Sequence, residues 1–105
     1  MAGMYSMKDL LSLLVQESAE ELRLEPARPP MMQLRGKLRV LDGPLVTSDE
    51  ITDLVRGIAT EAQLRELDLC GNLRFRFSTE QLAPFSVVAK VQCASLSVTI
   101  KNLGR

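Results

Sequence analysis

The spacing of apolar residues changes about two thirds of the way along the chain, and this change limits the fold class. Before Gly71, apolar residues recur every three or four positions in three segments, as on one face of an α-helix. After Gly71 they recur at every second position, as on one face of a β-strand. Helices followed by a block of strands are typical of α+β domains.

The first two helices are predicted from their capping residues and apolar faces. Ser6 precedes an apolar face that predicts a helix from about residue 7 to about residue 18. Thr47 begins a capping-box pattern before a second amphipathic segment, residues 51–59, and we expect Gly57 to lie inside this helix.

A third helix follows at once. Thr60 and Gln63 repeat the capping-box pattern, and the apolar residues Leu64 and Leu67 lie one turn apart. Gly71 stands where a left-handed C-terminal cap is expected, so the helix should end just before it.

Alternating apolar and polar residues predict the strands. A short strand is expected at residues 22–24, and a hairpin is expected around Gly36, which would supply the positive φ of the turn. A three-stranded antiparallel meander should follow Gly71, and its second strand should bury alternate residues from Phe85 through Val91 to Cys93. Further turns are expected at residues 42–44 and 83–84.

These elements predict one two-layer α+β domain over residues 1–105, with three helices covering one face of a mostly antiparallel sheet. A chain of 105 residues and 11.6 kDa has the size of a single compact domain. We expect the opposite sheet face to be wet or bound by a partner and to carry four cations, Arg74, Arg76, Lys90 and Lys101.

The composition argues against catalysis. The chain has no His, which is the side chain best suited to proton transfer near neutral pH and the commonest metal ligand. Its six glycines form no phosphate-binding loop, and Cys70 and Cys93 lie 23 residues apart without a metal-binding spacing. We therefore expect no enzymatic activity, no metal and no cofactor.

The sequence also argues against nucleic acid and membrane as partners. Thirteen basic residues balance thirteen acidic ones, and alternation turns Phe75 and Phe77 inward, so no aromatic platform faces the basic residues. The early apolar stretch, residues 10–15, is too short to span a bilayer or to act as a signal sequence, which predicts a cytoplasmic protein.

Charge is distributed in blocks along the chain. Residues 46–70 hold six carboxylates and two arginines, whereas residues 71–105 hold five basic residues and one acidic residue. Such blocks indicate surfaces of opposite sign rather than a charged tail. The candidate surface for a protein partner is Lys37, Arg39, Arg74, Arg76, Lys90 and Lys101.

Several segments resemble the N-terminal part of the twitching-motility retraction ATPases and their relatives among secretion ATPases. The likeness covers residues 19–26, 29–39, 47–58, 73–77 and 85–101. It is mostly hydrophobic and includes a Pro-Pro strand followed by a glycine hairpin. The resemblance implies a PAS-like domain without the RecA-like motor domain that carries the Walker motifs and hydrolyses ATP.

The chain departs from the family where arginines approach nucleotide. Arg23 stands where the family has His, and a family-like Phe-Arg-Val-Asn strand reads Phe-Ser-Val-Val from Phe85. Later arginine positions hold Val91 and Cys93, which leaves Lys101 as a cation. Uncharged side chains cannot neutralise a transferring phosphoryl group, so the resemblance does not imply a part in ATP chemistry.

We therefore expect a non-catalytic interaction or oligomerisation module. It would dock on, or regulate, a type IV pilus, motility or secretion complex, and its partner would be a motor ATPase or a second copy of itself. Two alternatives remain open on the sequence: a PAS-like sensor of a small apolar or nucleotide-like ligand, and a fragment of a complete pilus-motor ATPase.

Overall fold

The computed structural model describes residues 6–41, 43–78, 84–92 and 95–103, and it has the predicted α+β class with three helices and an antiparallel sheet. The helices are α1 (Met7–Gln16), α2 (Ser48–Arg56) and α3 (Glu61–Cys70). The strands are β1 (Glu21–Leu24), β2 (Met31–Leu34), β3 (Lys37–Val40), β4 (Asn72–Phe77), β5 (Phe85–Gln92) and β6 (Ser95–Asn102).

The six strands form one sheet in the order β3-β2-β1-β6-β5-β4, and every pair is antiparallel. The short strand β1 lies between β2 and β6, so that Leu22 has Met32 on one side and Ile100 on the other. This pairing joins the N-terminal hairpin to the C-terminal meander in one continuous surface.

The three described helices pack on one face of the sheet, and none of them lies on the opposite face, called here the open face. The buried residues of α1, α2 and α3 belong to the same apolar cluster as alternate residues of five strands, β1, β2, β4, β5 and β6. No polar or charged side chain is buried within the described ranges. The core thus consists of apolar side chains between one sheet face and three helices.

The helix starts agree with the predicted caps. The Ser6 hydroxyl accepts a hydrogen bond from the Asp9 backbone N–H at 3.5 Å. Thr47 and Thr60 each form both hydrogen bonds of a capping box. Helix α1 ends at Gln16, two residues before the expected Ser18, whose φ of 53° lies in the left-handed region. Within the described segments, no helix has the length and apolar character needed to cross a bilayer.

The expectation for Gly57 was wrong. Helix α2 ends at Arg56 and Gly57 is its C-cap, donating its backbone N–H to the carbonyls of Asp53 and Leu54 at 3.3 and 3.2 Å. The apolar pattern continued because Ile58 still packs against the core after the helix has ended. The next capping box then starts α3 within three residues, which leaves no room for a longer α2.

The strand predictions hold with one exception. Phe85, Val87 and Ala89 are buried as expected, but Val91 is 41% exposed. Val91 lies past the helical cover, at the rim of a groove beside α2 and α3. Residues 42, 83 and 93, on which two predicted turns and part of the β5 face depended, lie outside the described residues.

We predict that Gly71→Ala lowers the free energy of unfolding by about 1 kcal/mol. Gly71 has φ 75°, and a Cβ placed there would meet no atom within 4 Å, so the loss would come from backbone conformation alone. Urea unfolding followed by circular dichroism measures it. Gly71→Asn is the matched control and should lose less, because Asn tolerates the left-handed region. Equal stability of Gly71→Ala and the natural protein would contradict this account of the cap.

Candidate interaction surface

Four cations lie together on the open face, as the sequence predicts. Arg74 and Arg76 extend from β4, Lys90 from β5 and Lys101 from β6, and all four are exposed. Arg76 and Lys101 flank Ser86 from its two sides in the register of the sheet. We call these four side chains the cation quartet.

The cation quartet is closely spaced and uncompensated. Residues two apart on a strand are separated by about 7 Å, and residues two strands apart by about 10 Å. Arg76 therefore lies within the Debye length, about 10 Å at 0.1 M salt, of both Arg74 and Lys101, and these charges act together on an approaching ligand. Lys90, which lies opposite Asn72, is that close to Arg74 alone. Within the described part of the chain, no carboxylate forms an ion pair with any of the four.

A fifth cation and one carboxylate lie on the same face. Glu21 and Arg23 alternate with the buried Leu22 and Leu24 on β1, and the Arg23 guanidinium donates a hydrogen bond to the Glu21 carboxylate. Among the described residues, this internal pair leaves the cation quartet as the net charge of the open face. The alternation in Glu-Leu-Arg-Leu is the sequence signal that could have identified both residues.

Lys37 and Arg39 do not belong to this surface. In the β2–β3 hairpin, Arg39 lies opposite Met32, which is buried among the helices, so Arg39 and Lys37 project from the helix-bearing face. The Arg39 guanidinium lies 3.7 Å from the carboxylate of Glu17 at the end of α1, on that same side. The six predicted cations therefore divide into the cation quartet and a separate pair at the edge of the sheet.

Since the cations of β3 lie on the helix-bearing face, the two apolar side chains of this strand lie on the open face, in solvent. Leu38 and Val40 lie on the open face and are 53% and 55% exposed. Met31, opposite Val40, is buried on this face rather than in the core cluster. This apolar edge was not predicted, because alternation alone does not tell which face of a strand is covered.

A groove opens between the helices at the other side of the molecule. Its volume is about 310 Å³, and its apolar lining includes Val55, Leu67 and Leu96. Asp49, Asp68 and Arg56 also line it. The groove thus combines apolar walls with charged groups of both signs, in contrast to the cationic open face.

The described residues include no cluster of side chains suited to binding a metal ion. No group of three or more His, Cys, Asp or Glu side chains in residues 6–41, 43–78, 84–92 and 95–103 is placed to hold a metal ion. Cys70 is an exposed free thiol at the end of α3. Its neighbours on the surface do not include a His, because the chain has none.

A six-stranded antiparallel sheet with three helices on one face and cations on the other defines the class: a two-layer α+β domain with an open sheet face. Its fold is similar to part of the pilus retraction motor PilT, in a crystal structure with bound ADP, with a TM-score of 0.86, 19% sequence identity and 94% of this chain covered. It is also similar to the DotB ATPases of Legionella pneumophila (TM-score 0.77, 12% identity, 97% covered) and Yersinia pseudotuberculosis (0.69, 14%, 90%).

The chain spans only 29 to 30% of the length of these three structures. The sequence matches no protein-family model, and no curated protein matches it in sequence. The likeness therefore concerns the fold, and it confirms the fold expected from the resemblance to pilus and secretion ATPases.

We predict that Arg74→Gln/Arg76→Gln changes the free energy of unfolding by no more than about 0.5 kcal/mol. Both arginines are exposed and unpaired within the described residues, so their removal relieves repulsion and breaks no ion pair. Leu73→Ala, on the same strand but buried, is the contrasting variant and should cost about 2 to 5 kcal/mol. Urea unfolding measures both; a large loss in the arginine variant would mean that the cation quartet serves stability.

Proposed function

We propose that this domain is a non-catalytic interaction module that docks through the cation quartet on an acidic protein surface of a type IV pilus or secretion motor complex. The observation that carries the proposal is the uncompensated cation quartet on a sheet face without helical cover, in a fold similar to part of PilT and DotB. In this proposal the domain contributes binding alone and takes no part in nucleotide hydrolysis.

The partner surface that suits the cation quartet is acidic. The helices α2 and α3 of this chain illustrate such a surface, because residues 46–70 hold six carboxylates and two arginines. A head-to-tail contact between related domains would bring a surface of this kind against the open face. The candidate partners are therefore a motor ATPase subunit and a second copy of this chain.

Charge on the open face would mainly set the rate and orientation of docking. Affinity requires an apolar contact that becomes desolvated. Val88 supplies one, because it lies half-buried on the open face between Arg74 on β4 and Thr99 on β6. The charged rim around this valine resembles the arrangement of many protein interfaces, in which polar groups surround an apolar centre.

We predict that Arg74→Glu/Arg76→Glu weakens recovery of a pilus motor ATPase in a pull-down at low salt. Reversing two charges replaces attraction to the acidic surface by repulsion, and the effect should diminish as salt is raised. Lys8→Glu/Arg28→Glu is the matched control, since both residues are exposed, lie outside the open face and give the same change in net charge. Unchanged recovery with the arginine variant would count against docking through this face.

The groove between the helices favours ligand sensing as a second candidate function. Its volume of about 310 Å³ is at the lower limit of small-molecule sites, and it has apolar walls with a few polar groups. Thermal unfolding with a panel of nucleotides and metabolites tests this function. A ligand-dependent rise in the unfolding temperature that Asp68→Asn removes would favour sensing; the docking proposal predicts no such rise.

A further inference from the structure

One edge of the sheet has unpaired backbone groups beside exposed apolar side chains. Among the described strands, the edge strand β3 has β2 as its single neighbour, and all four residues of β3 are exposed. The turn between the two strands has two residues, Arg35 and Gly36, with φ of 51° and 81°, so the flanking residues Leu34 and Lys37 form a hydrogen-bonded pair.

Along an antiparallel ladder, hydrogen-bonded residue pairs alternate with pairs that are not hydrogen-bonded. Leu38 and Val40 belong to the second kind, so their backbone N–H and C=O groups point away from β2. The hydrogen bond from the Leu41 N–H to the Pro30 carbonyl, at 2.9 Å, continues the same alternation. Within the described residues, no hydrogen bond joins the outward N–H and C=O groups of Leu38 and Val40 to another element, so they can pair with a further strand.

The side chains of β3 are divided between two faces. Leu38 and Val40 lie on the open face, whereas Lys37 and Arg39 lie on the helix-bearing face. A strand added at this edge would meet apolar side chains on one face and cations on the other. Arg39 already contacts Glu17, but a guanidinium has five N–H donors, so it can also bind a carboxylate on an added strand.

A second copy of this chain does not fit the edge. An antiparallel pairing of Leu38 with Val40 of another copy would set two Arg39 side chains directly opposite each other, which is destabilising. Neither edge strand contains a carboxylate: β3 reads Lys-Leu-Arg-Val and β4 reads Asn-Leu-Arg-Phe-Arg-Phe. Self-pairing by strand addition therefore lacks the complementary charge.

We propose that the edge of β3 binds an extended segment of another protein in which carboxylates alternate with apolar residues. The segment adds a seventh strand to the six-stranded sheet, with its carboxylates opposite Lys37 and Arg39 and its apolar residues beside Leu38 and Val40. Backbone hydrogen bonds supply affinity, and the alternating charges select the acidic segment. This surface is separate from the cation quartet and does not depend on the function proposed for it.

The test uses two fluorescent peptides, Thr-Val-Glu-Val-Glu-Val-Thr and its counterpart with Lys in place of both Glu residues. Fluorescence anisotropy should show saturable binding of the acidic peptide and about tenfold weaker binding of the basic one at low salt. Lys37→Glu/Arg39→Glu should reverse this preference. No saturable binding of the acidic peptide, or a preference that the charge reversal leaves unchanged, would overturn the proposal.

Val40→Pro tests the backbone contribution. Val40 directs its N–H away from β2, so proline removes a donor to the added strand without breaking the β2–β3 ladder. Binding of the acidic peptide should weaken about tenfold, whereas Val40→Thr, which keeps the N–H, should change it by less than about threefold. Circular dichroism checks folding; if the proline variant unfolds, the charge reversal decides. Equal binding by the proline and threonine variants would contradict strand addition.

Two further measurements distinguish peptide binding at the β3 edge from binding at the cation quartet and from self-association. Arg74→Glu/Arg76→Glu should leave peptide binding unchanged, because the cation quartet lies on the far strands of the sheet. A loss of binding in that variant would place the peptide on the quartet and contradict the proposal. Sedimentation over a range of protein concentrations should show no dimer that forms through the β3 edge. A dimer through this edge would be recognised because Val40→Pro abolishes it. Such a dimer would make a second copy the occupant of the edge and would overturn the proposal.

Discussion

The pairing of β1 with β2 on one side and β6 on the other is the interaction on which the rest of the structure depends. Without it, the β2–β3 hairpin and the β4–β6 meander would be two small sheets, and an isolated hairpin is only marginally stable in water. The four residues of β1 contribute to both faces of the sheet. Leu22 and Leu24 are fully buried on the helix-bearing face, and Glu21 and Arg23 pair with each other on the open face.

The central position of β1 also determines where function can lie. The helix-bearing face is occupied by an apolar cluster that has no buried polar or charged side chain in the described residues. Binding groups are therefore left to the open face, the sheet edges and the outer surfaces of the helices. The cation quartet and the β3 edge use different strands of one sheet, and two partners could occupy them at the same time.

Local features of the sequence predicted local features of the fold. Each helix began after its expected cap, and Gly71 adopted the left-handed conformation, because such caps depend on residues within one turn. The cation quartet was predictable too, since Leu73 and Phe75 define the buried side of β4 without ambiguity. The order of the strands could not be predicted from the sequence. Strands β1 and β6 are brought together by contacts between residues about 78 positions apart, such as Leu22 and Ile100.

The orientation of β3 shows why some site residues could not be placed from the sequence. Met31 and Met32 are both apolar, so the pattern of β2 does not indicate which of them enters the core. Met32 is buried in the core cluster, and the two-residue turn then directs Arg39 to the same side. Because Met32 rather than Met31 packs in the core, the two cations of β3 lie on the helix-bearing face and not on the surface where they were expected.

The place of β6 beside β1 has a consequence for synthesis of the protein. The middle of the sheet is completed by residues 95–102, so the hairpin and first helix emerge from the ribosome long before the strand that completes their sheet. During translation, the exposed side of β1 is an open strand edge of the kind that pairs with other chains. Nascent chains of this protein should therefore acquire resistance to proteolysis in a single late step, after β6 has left the exit tunnel.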